Sequence, residues 1–120
     1  MTQSLEDYLE AVYQLIMSGK PAQVSDVAKA LSVKMPSVVK AIHELKRLGL
    51  VTQEPYANIE LTAKGRRLAF NVHTRHLLLK TFLLKLGVGE DVADKDACMM
   101  EHILSEETLE KIRAYTENTK

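Results

Sequence analysis

The sequence predicts a mainly α-helical protein: an N-terminal winged helix-turn-helix with a small β-wing, followed by a helical dimerisation unit. Three observations carry this. Val24 to Leu50 reads as two amphipathic helices joined by a tight turn. Two short β-prone runs, Leu50 to Glu54 and Ile59 to Leu61, flank Pro55-Tyr56-Ala57-Asn58 directly after it. A long helical stretch then ends in LLLKTFLLKL, which is apolar nearly all the way round.

Each element has its own signal. Ser4 to Met17 is an amphipathic helix, with Leu5, Leu9, Val12 and Ile16 within a narrow arc. Asp7 and Glu10 lie one turn apart on another side, where a solvated acidic face near a helix N-terminus is the plain reading. Gly19-Lys20-Pro21 breaks the helix. Ser25 is the expected N-cap of the next helix, whose inward face is Val27, Ala28 and Leu31. The turn is Ser32-Val33-Lys34-Met35. Pro36 opens the second helix, where no backbone N–H is needed. Val38, Ala41, Ile42, Leu45 and Leu48 form the buried stripe, and Gly49 fits a left-handed position after the end. Thr62 caps the long helix, which is expected to run to Leu86 before Gly87. Glu90 to Leu104 is a further helix, and Ser105-Glu106-Glu107-Thr108 caps a last one to about Thr116.

The outward face of the second helix of the pair carries Ser37, Lys40, Glu44 and Arg47. Two helices in this arrangement place the second in a DNA major groove; an ordinary helical hairpin with a polar face is the rival reading. The expected DNA contacts are Lys34, Pro36, Ser37, Lys40 and Arg47, with Tyr56 and Asn58 at the wing tip. Lys64, Arg66 and Arg67 in the next helix are candidate phosphate contacts.

Charge supports that division. The 120-residue chain has 16 Lys and Arg against 16 Asp and Glu, yet the charges are not evenly spread. Residues 20–67 hold nine basic against four acidic side chains, and residues 87–120 hold four against nine. A phosphate-facing surface needs the first balance. The sequence contains no signal peptide and no apolar run long enough to span a bilayer, so no membrane partner is expected. A single cysteine excludes an internal disulfide and fits a reducing cytoplasm. The all-round apolar helix must be covered, and a homodimer would cover it while supplying two reading helices for a two-fold operator. The expected boundary falls at residue 65, with a DNA-binding domain over 1–65 and a metal-binding and dimerisation domain over 66–120.

The metal expectation comes from Cys98-Met99-Met100-Glu101-His102. Cys98, Glu101 and His102 are spaced i, i+3, i+4, so one helix face gathers a thiol, a carboxylate and an imidazole. Val92, Met99, Met100, Ile103 and Leu104 point to the other, apolar side. Three ligands from one helix rarely complete a shell, so Asp7, Glu10 and His76 are the expected further donors. His76 by itself reads equally as a half-buried structural histidine.

These motifs, in this order and spacing, resemble the family of the diphtheria toxin repressor and the manganese transport regulator, metal-activated repressors of metal uptake. The resemblance covers nearly the whole chain. It rests on Asp7-Tyr8-Leu9-Glu10, on Leu48-Gly49-Leu50, on Leu61-Thr62-Ala63-Lys64-Gly65, on Arg75-His76-Leu77-Leu78, and on Cys98 with Glu101-His102-Ile103-Leu104-Ser105. It implies a metal-responsive repressor of uptake genes that works as a homodimer on an operator. Asp7, Glu10, His76, Glu101 and His102 match the manganese branch, which usually has glutamate where Cys98 stands. Cys98, Glu101 and His102 match the iron branch, which usually has methionine where Asp7 stands. Of that branch's second site only His76 matches, since Lys80 and Asp94 hold its other two positions.

The dominance of oxygen donors favours Mn²⁺ or Fe²⁺, whereas the thiolate shifts preference toward Fe²⁺, Co²⁺ or Zn²⁺. On this reading metal ties the first helix to the long helix and the Cys98 helix, setting the spacing of the two winged helices, and a binuclear centre bridged by Glu10 and Glu101 stays open. Two rivals are a regulator that senses an organic ligand or partner protein, and a metallohydrolase with Glu101 as base. The chain has no nucleophile motif or phosphate loop, and an enzyme is not expected.

Overall fold

A threonine opens the first helix: Thr2 Oγ1 accepts the Leu5 N–H at 3.2 Å, starting α1 (Gln3–Met17). The computed structural model describes residues 1–118. They form two compact units, residues 1–70 and 71–118 of the described chain, and each has its own core.

In the first unit α1 is followed by α2 (Val24–Leu31) and α3 (Met35–Arg47), then by the strands β1 (Val51–Thr52) and β2 (Glu60–Leu61). The helix α4 (Ala63–Lys85) begins in this unit and ends in the second. Leu9, Val12, Val27, Val38, Leu45, Leu50 and Ile59 are fully buried together. Each such side chain contributes roughly 1.5–3 kcal/mol relative to an exposed one.

Local chemistry differs from the expectation at several ends. Ser25 does not cap α2; Gln23 does, in a reciprocal pairing with Asp26, whose carboxylate accepts the Gln23 N–H at 3.1 Å. Met35 belongs to α3 rather than the turn, and Ser32 makes the turn with φ +54°. Gly49 takes φ +75° after α3, as its position requires. The strands are two residues each, shorter than expected, and pair antiparallel with Val51 opposite Leu61 and Thr52 opposite Glu60.

The wing returns into α4 through a close approach. Thr62 Oγ1 accepts the Gly65 N–H at 3.0 Å and donates to the Gly49 carbonyl at 2.7 Å. A Cβ at Gly65 would lie 1.9 Å from the Leu50 carbonyl oxygen, so only glycine fits there.

The second unit contains the rest of α4, then α5 (Glu90–Met100) and α6 (Glu106–Asn118). Leu79, Leu83, Ala93, Ala97 and Leu109 form its core. Ser105 Oγ accepts the Thr108 N–H at 3.2 Å and starts α6. The helix expected over Glu90 to Leu104 stops at Met100, with Glu101 as its cap. Its buried stripe is Ala93 and Ala97; Val92, Met99 and Ile103, expected on a packed apolar side, are exposed. No described helix is long and apolar enough to cross a membrane.

Candidate metal centre and nucleic-acid interface

In the first unit α3 presents Lys34, Pro36, Ser37, Lys40 and Arg47 to solvent, all exposed. Two apolar side chains share this surface: Met35 is 50% and Val39 55% exposed. Stripe logic reserves such residues for the core, so sequence reasoning passed over them. Arg47 Nε donates to Glu44 Oε2 at 3.0 Å, and a second guanidinium N–H donates to Oε1. That hydrogen bond holds the Glu44 carboxyl below its ordinary range.

The wing tip is a tight turn. Ala57 N–H donates to the Glu54 carbonyl at 3.0 Å across Pro55 and Tyr56. Tyr56 has φ +64° and is fully exposed, occupying the position where a type II turn favours glycine. Asn58 Oδ1 accepts from Gln23 Nε2 at 3.3 Å, which ties the wing to the start of α2. Lys64, Arg66 and Arg67 are exposed in the first turns of α4.

α1 carries Asp7 and Glu10. Glu10 is only 7% exposed and accepts from Gln14 Nε2 at 3.4 Å; Asp7 is half-buried. The plain reading of a solvated acidic face therefore fails for Glu10.

In the second unit three of the expected ligands, His76, Cys98 and His102, lie near the carboxylate of a fourth, Glu101. The end of α5 tightens: Glu101 N–H donates to Ala97 O at 3.0 Å and His102 N–H to Met99 O at 3.4 Å. This turn keeps Glu101 and His102 beside Cys98 although the helix has ended. Glu101 is 1% exposed. Its Oε2 lies 3.2 Å from His76 Nδ1 and its Oε1 lies 3.3 Å from His102 Nε2. A Glu101 oxygen and Cys98 Sγ are within 4.8 Å of one another.

Those imidazole contacts are near in distance but not in alignment, and neither Glu101 oxygen accepts a hydrogen bond. Burying a carboxylate without donors is costly, by several kcal/mol in real proteins. A cation offsets that cost, and carboxylate, imidazole and thiol are donors that divalent transition metals take. The residues present fit such an ion.

Beside this centre is a pairing that ligand spacing alone did not suggest. His76 Nε2 lies 2.9 Å from Asp94 Oδ1 in a hydrogen bond. Lys80 Nζ lies 3.5 Å from the same oxygen and 3.6 Å from Glu90 Oε1. The hydrogen bond to His76, together with the charge of Lys80, holds the Asp94 carboxyl below its ordinary range. The signal was available: His76 and Lys80 are one turn apart on one helix, as are Glu90 and Asp94 on the next.

Residues 1–59 match the iron-dependent repressor N-terminal DNA-binding domain, and residues 62–120 match the iron-dependent repressor metal-binding and dimerisation domain. The chain belongs to the iron-dependent repressor family. Among relatives, an uncharacterized helix-turn-helix-type transcriptional regulator of Methanocaldococcus jannaschii is 40% identical, over 100% of this chain and 98% of that one. The transcriptional regulator MntR of Escherichia coli is 39% identical, over 94% of this chain and 73% of the relative. Among solved structures, the manganese regulator SloR superposes with a TM-score of 0.86 at 29% identity, over 98% of this chain and 55% of that one. The chain thus spans about half the length of that structure. The repressor-family metal-binding match covers the part of the chain that contains His76, Asp94, Cys98, Glu101 and His102. The relatives named here are transcriptional regulators.

Proposed function

We propose that this chain is a DNA-binding transcriptional repressor of metal-uptake genes, activated as a cytoplasmic homodimer by Mn²⁺ or Fe²⁺. The observation that carries the proposal is the buried Glu101 carboxylate, without hydrogen bonds and facing His76 and His102. When bound, the cation supplies the positive charge this carboxylate otherwise lacks. Glu101, His76, His102 and Cys98 hold it from the second unit, and Asp7 and Glu10 on α1 complete the donor set. Three carboxylates and two imidazoles favour Mn²⁺ or Fe²⁺ over softer ions, and the thiolate of Cys98 pulls the preference toward Fe²⁺.

Lys34, Pro36, Ser37 and Lys40 meet base edges and phosphates in the major groove. Arg47, Lys64, Tyr56 and Asn58 meet the backbone or the adjacent groove. The exposed apolar side chains of the second unit, Leu77 and Leu86 among them, are covered by a second copy. The similarity to the transcriptional regulator MntR and to the structure named a manganese regulator supports this reading.

The test is binding to a duplex selected from a random pool by the Mn²⁺-loaded chain, measured with and without Mn²⁺ or Fe²⁺ under reducing conditions. Coupling of the usual size predicts affinity about 5- to 150-fold tighter with metal. The His102→Ala chain should lose that difference. Equal affinity in both conditions, or a metal response retained by His102→Ala, overturns the proposal.

A further inference from the structure

The geometry points to Asp94 as a positioning residue: it holds the His76 proton on Nε2 and so presents the Nδ1 lone pair toward Glu101. This inference rests on the function proposed above.

Four side chains make the arrangement. His76 and Lys80 stand one turn apart on α4, and Glu90 and Asp94 stand one turn apart on α5. His76 meets Asp94 at 2.9 Å, and Lys80 meets both Asp94 and Glu90 at 3.5 and 3.6 Å. The pairings run backward along α4 as they run forward along α5, as antiparallel helices joined by a short turn require.

A neutral imidazole has one N–H, and its place decides which nitrogen can donate electrons to a cation. At Nε2 the aligned 2.9 Å contact to a carboxylate is a hydrogen bond, so the proton belongs there. At Nδ1 the facing atom is Glu101 Oε2, 3.2 Å away, and that oxygen accepts no hydrogen bond. The nitrogen aimed at the buried carboxylate is thus the one with the lone pair. A carboxylate behind a metal-binding imidazole fixes its tautomer and orientation and raises its basicity. Lys80 is the part that keeps Asp94 in place: its ammonium lies beside the same Oδ1.

The experiment uses the full, metal-free chain with ¹⁵N-labelled histidine, at a pH where His76 is neutral. Two-bond ¹H–¹⁵N correlations should show His76 as the Nε2–H tautomer. Asp94→Ala should lose that preference and bind Mn²⁺ roughly 10- to 100-fold more weakly by calorimetry. Asp94→Asn retains an acceptor oxygen and should keep the tautomer, with an intermediate loss of affinity. A wild-type His76 carrying its proton on Nδ1, or a tautomer unchanged in Asp94→Ala, overturns the inference. So does a changed tautomer with full Mn²⁺ affinity, which would sever positioning from binding. A wild-type chain that takes up no Mn²⁺ sinks the function proposed above; the Nε2–H tautomer and its loss in Asp94→Ala would still support the role of Asp94.

Discussion

The two units complete their interiors in different ways. The first encloses Leu9, Val12, Val27, Val38, Leu45, Leu50 and Ile59 fully, with α1, α2, α3 and the wing all contributing. Its exposed apolar residues include Met35, Val39 and Tyr56 on α3 and the wing tip, and Met17 and Phe70 near the ends of α1 and of the unit itself. The second fully buries Val72, Leu79 and, unusually, the carboxylate of Glu101. It leaves Leu77, Leu86, Val92, Met99, Ile103 and Tyr115 at least half exposed. Large exposed apolar side chains are what an interaction surface would use, and a buried carboxylate without hydrogen bonds calls for an explanation. The first unit encloses a core of its own residues. The second has two deficits, one apolar and one ionic, each of a kind that another molecule fills.

The contrast breaks most sharply at Gly65. Its backbone runs against the Leu50 carbonyl, so Gly65→Ala drives a methyl into a backbone oxygen that has no flexible end to move. We expect a loss of about 3 kcal/mol or more from the first unit, read as a lowered midpoint in thermal unfolding followed by far-UV circular dichroism. A midpoint equal to wild type would mean that the return from the wing into α4 is not rigid. The apolar deficit is tested next. Leu77→Glu with Leu86→Glu, both at exposed positions, should leave the helical content intact and convert a dimer to a monomer in sedimentation. An unchanged mass would show that a second copy does not cover that surface.

The ionic deficit gives a smaller, cleaner signal. At Mn²⁺ concentrations a hundred times the dissociation constant, binding stabilises the folded chain by about 2.7 kcal/mol. Glu101→Gln should lose most of that gain. Without metal it should be at least as stable as wild type, because a neutral amide avoids the cost of burying a charge without donors. A metal-free Glu101→Gln chain that unfolds earlier than wild type would show that the carboxylate already has stabilising partners.

The helices were legible because apolar residues recur at helical spacing, and the helix-turn-helix was legible because Pro36 and Gly49 punctuate it. What escaped were features set by contacts between residues distant in sequence or by competition among caps. Ser25 is the better cap by type, but Gln23 and Asp26 satisfy each other's backbone and start α2 two residues earlier. The i, i+3, i+4 spacing put Cys98, Glu101 and His102 on one helix face, yet the helix ends at Met100, and Glu101 and His102 follow it in a tightened turn. Periodicity also assigned Val92, Met99 and Ile103 to a packed side, since a hydrophobic stripe does not say whether its cover lies in the same chain. The link from His76 to Asp94 joins positions 18 residues apart, beyond the reach of a pattern read within one helix.

The smallest effect we expect lies on the first unit, at Glu44. Its pairing with Arg47 is on the exposed surface of α3, with side chains 38% and 64% accessible, where such pairs contribute almost nothing to folding. Glu44→Ala should therefore leave the unfolding midpoint where it is. Its consequence should fall on DNA instead, because Arg47 then no longer divides its guanidinium between a carboxylate and a phosphate. The logarithm of the binding constant should fall more steeply with the logarithm of salt, by roughly 0.9 for one added phosphate contact. Arg47→Ala in the Glu44→Ala background should remove the increment. If the slope is the same with and without Glu44, Arg47 does not reach the backbone, and the phosphate contacts of the first unit fall to other basic side chains such as Lys34, Lys40, Lys64, Arg66 and Arg67.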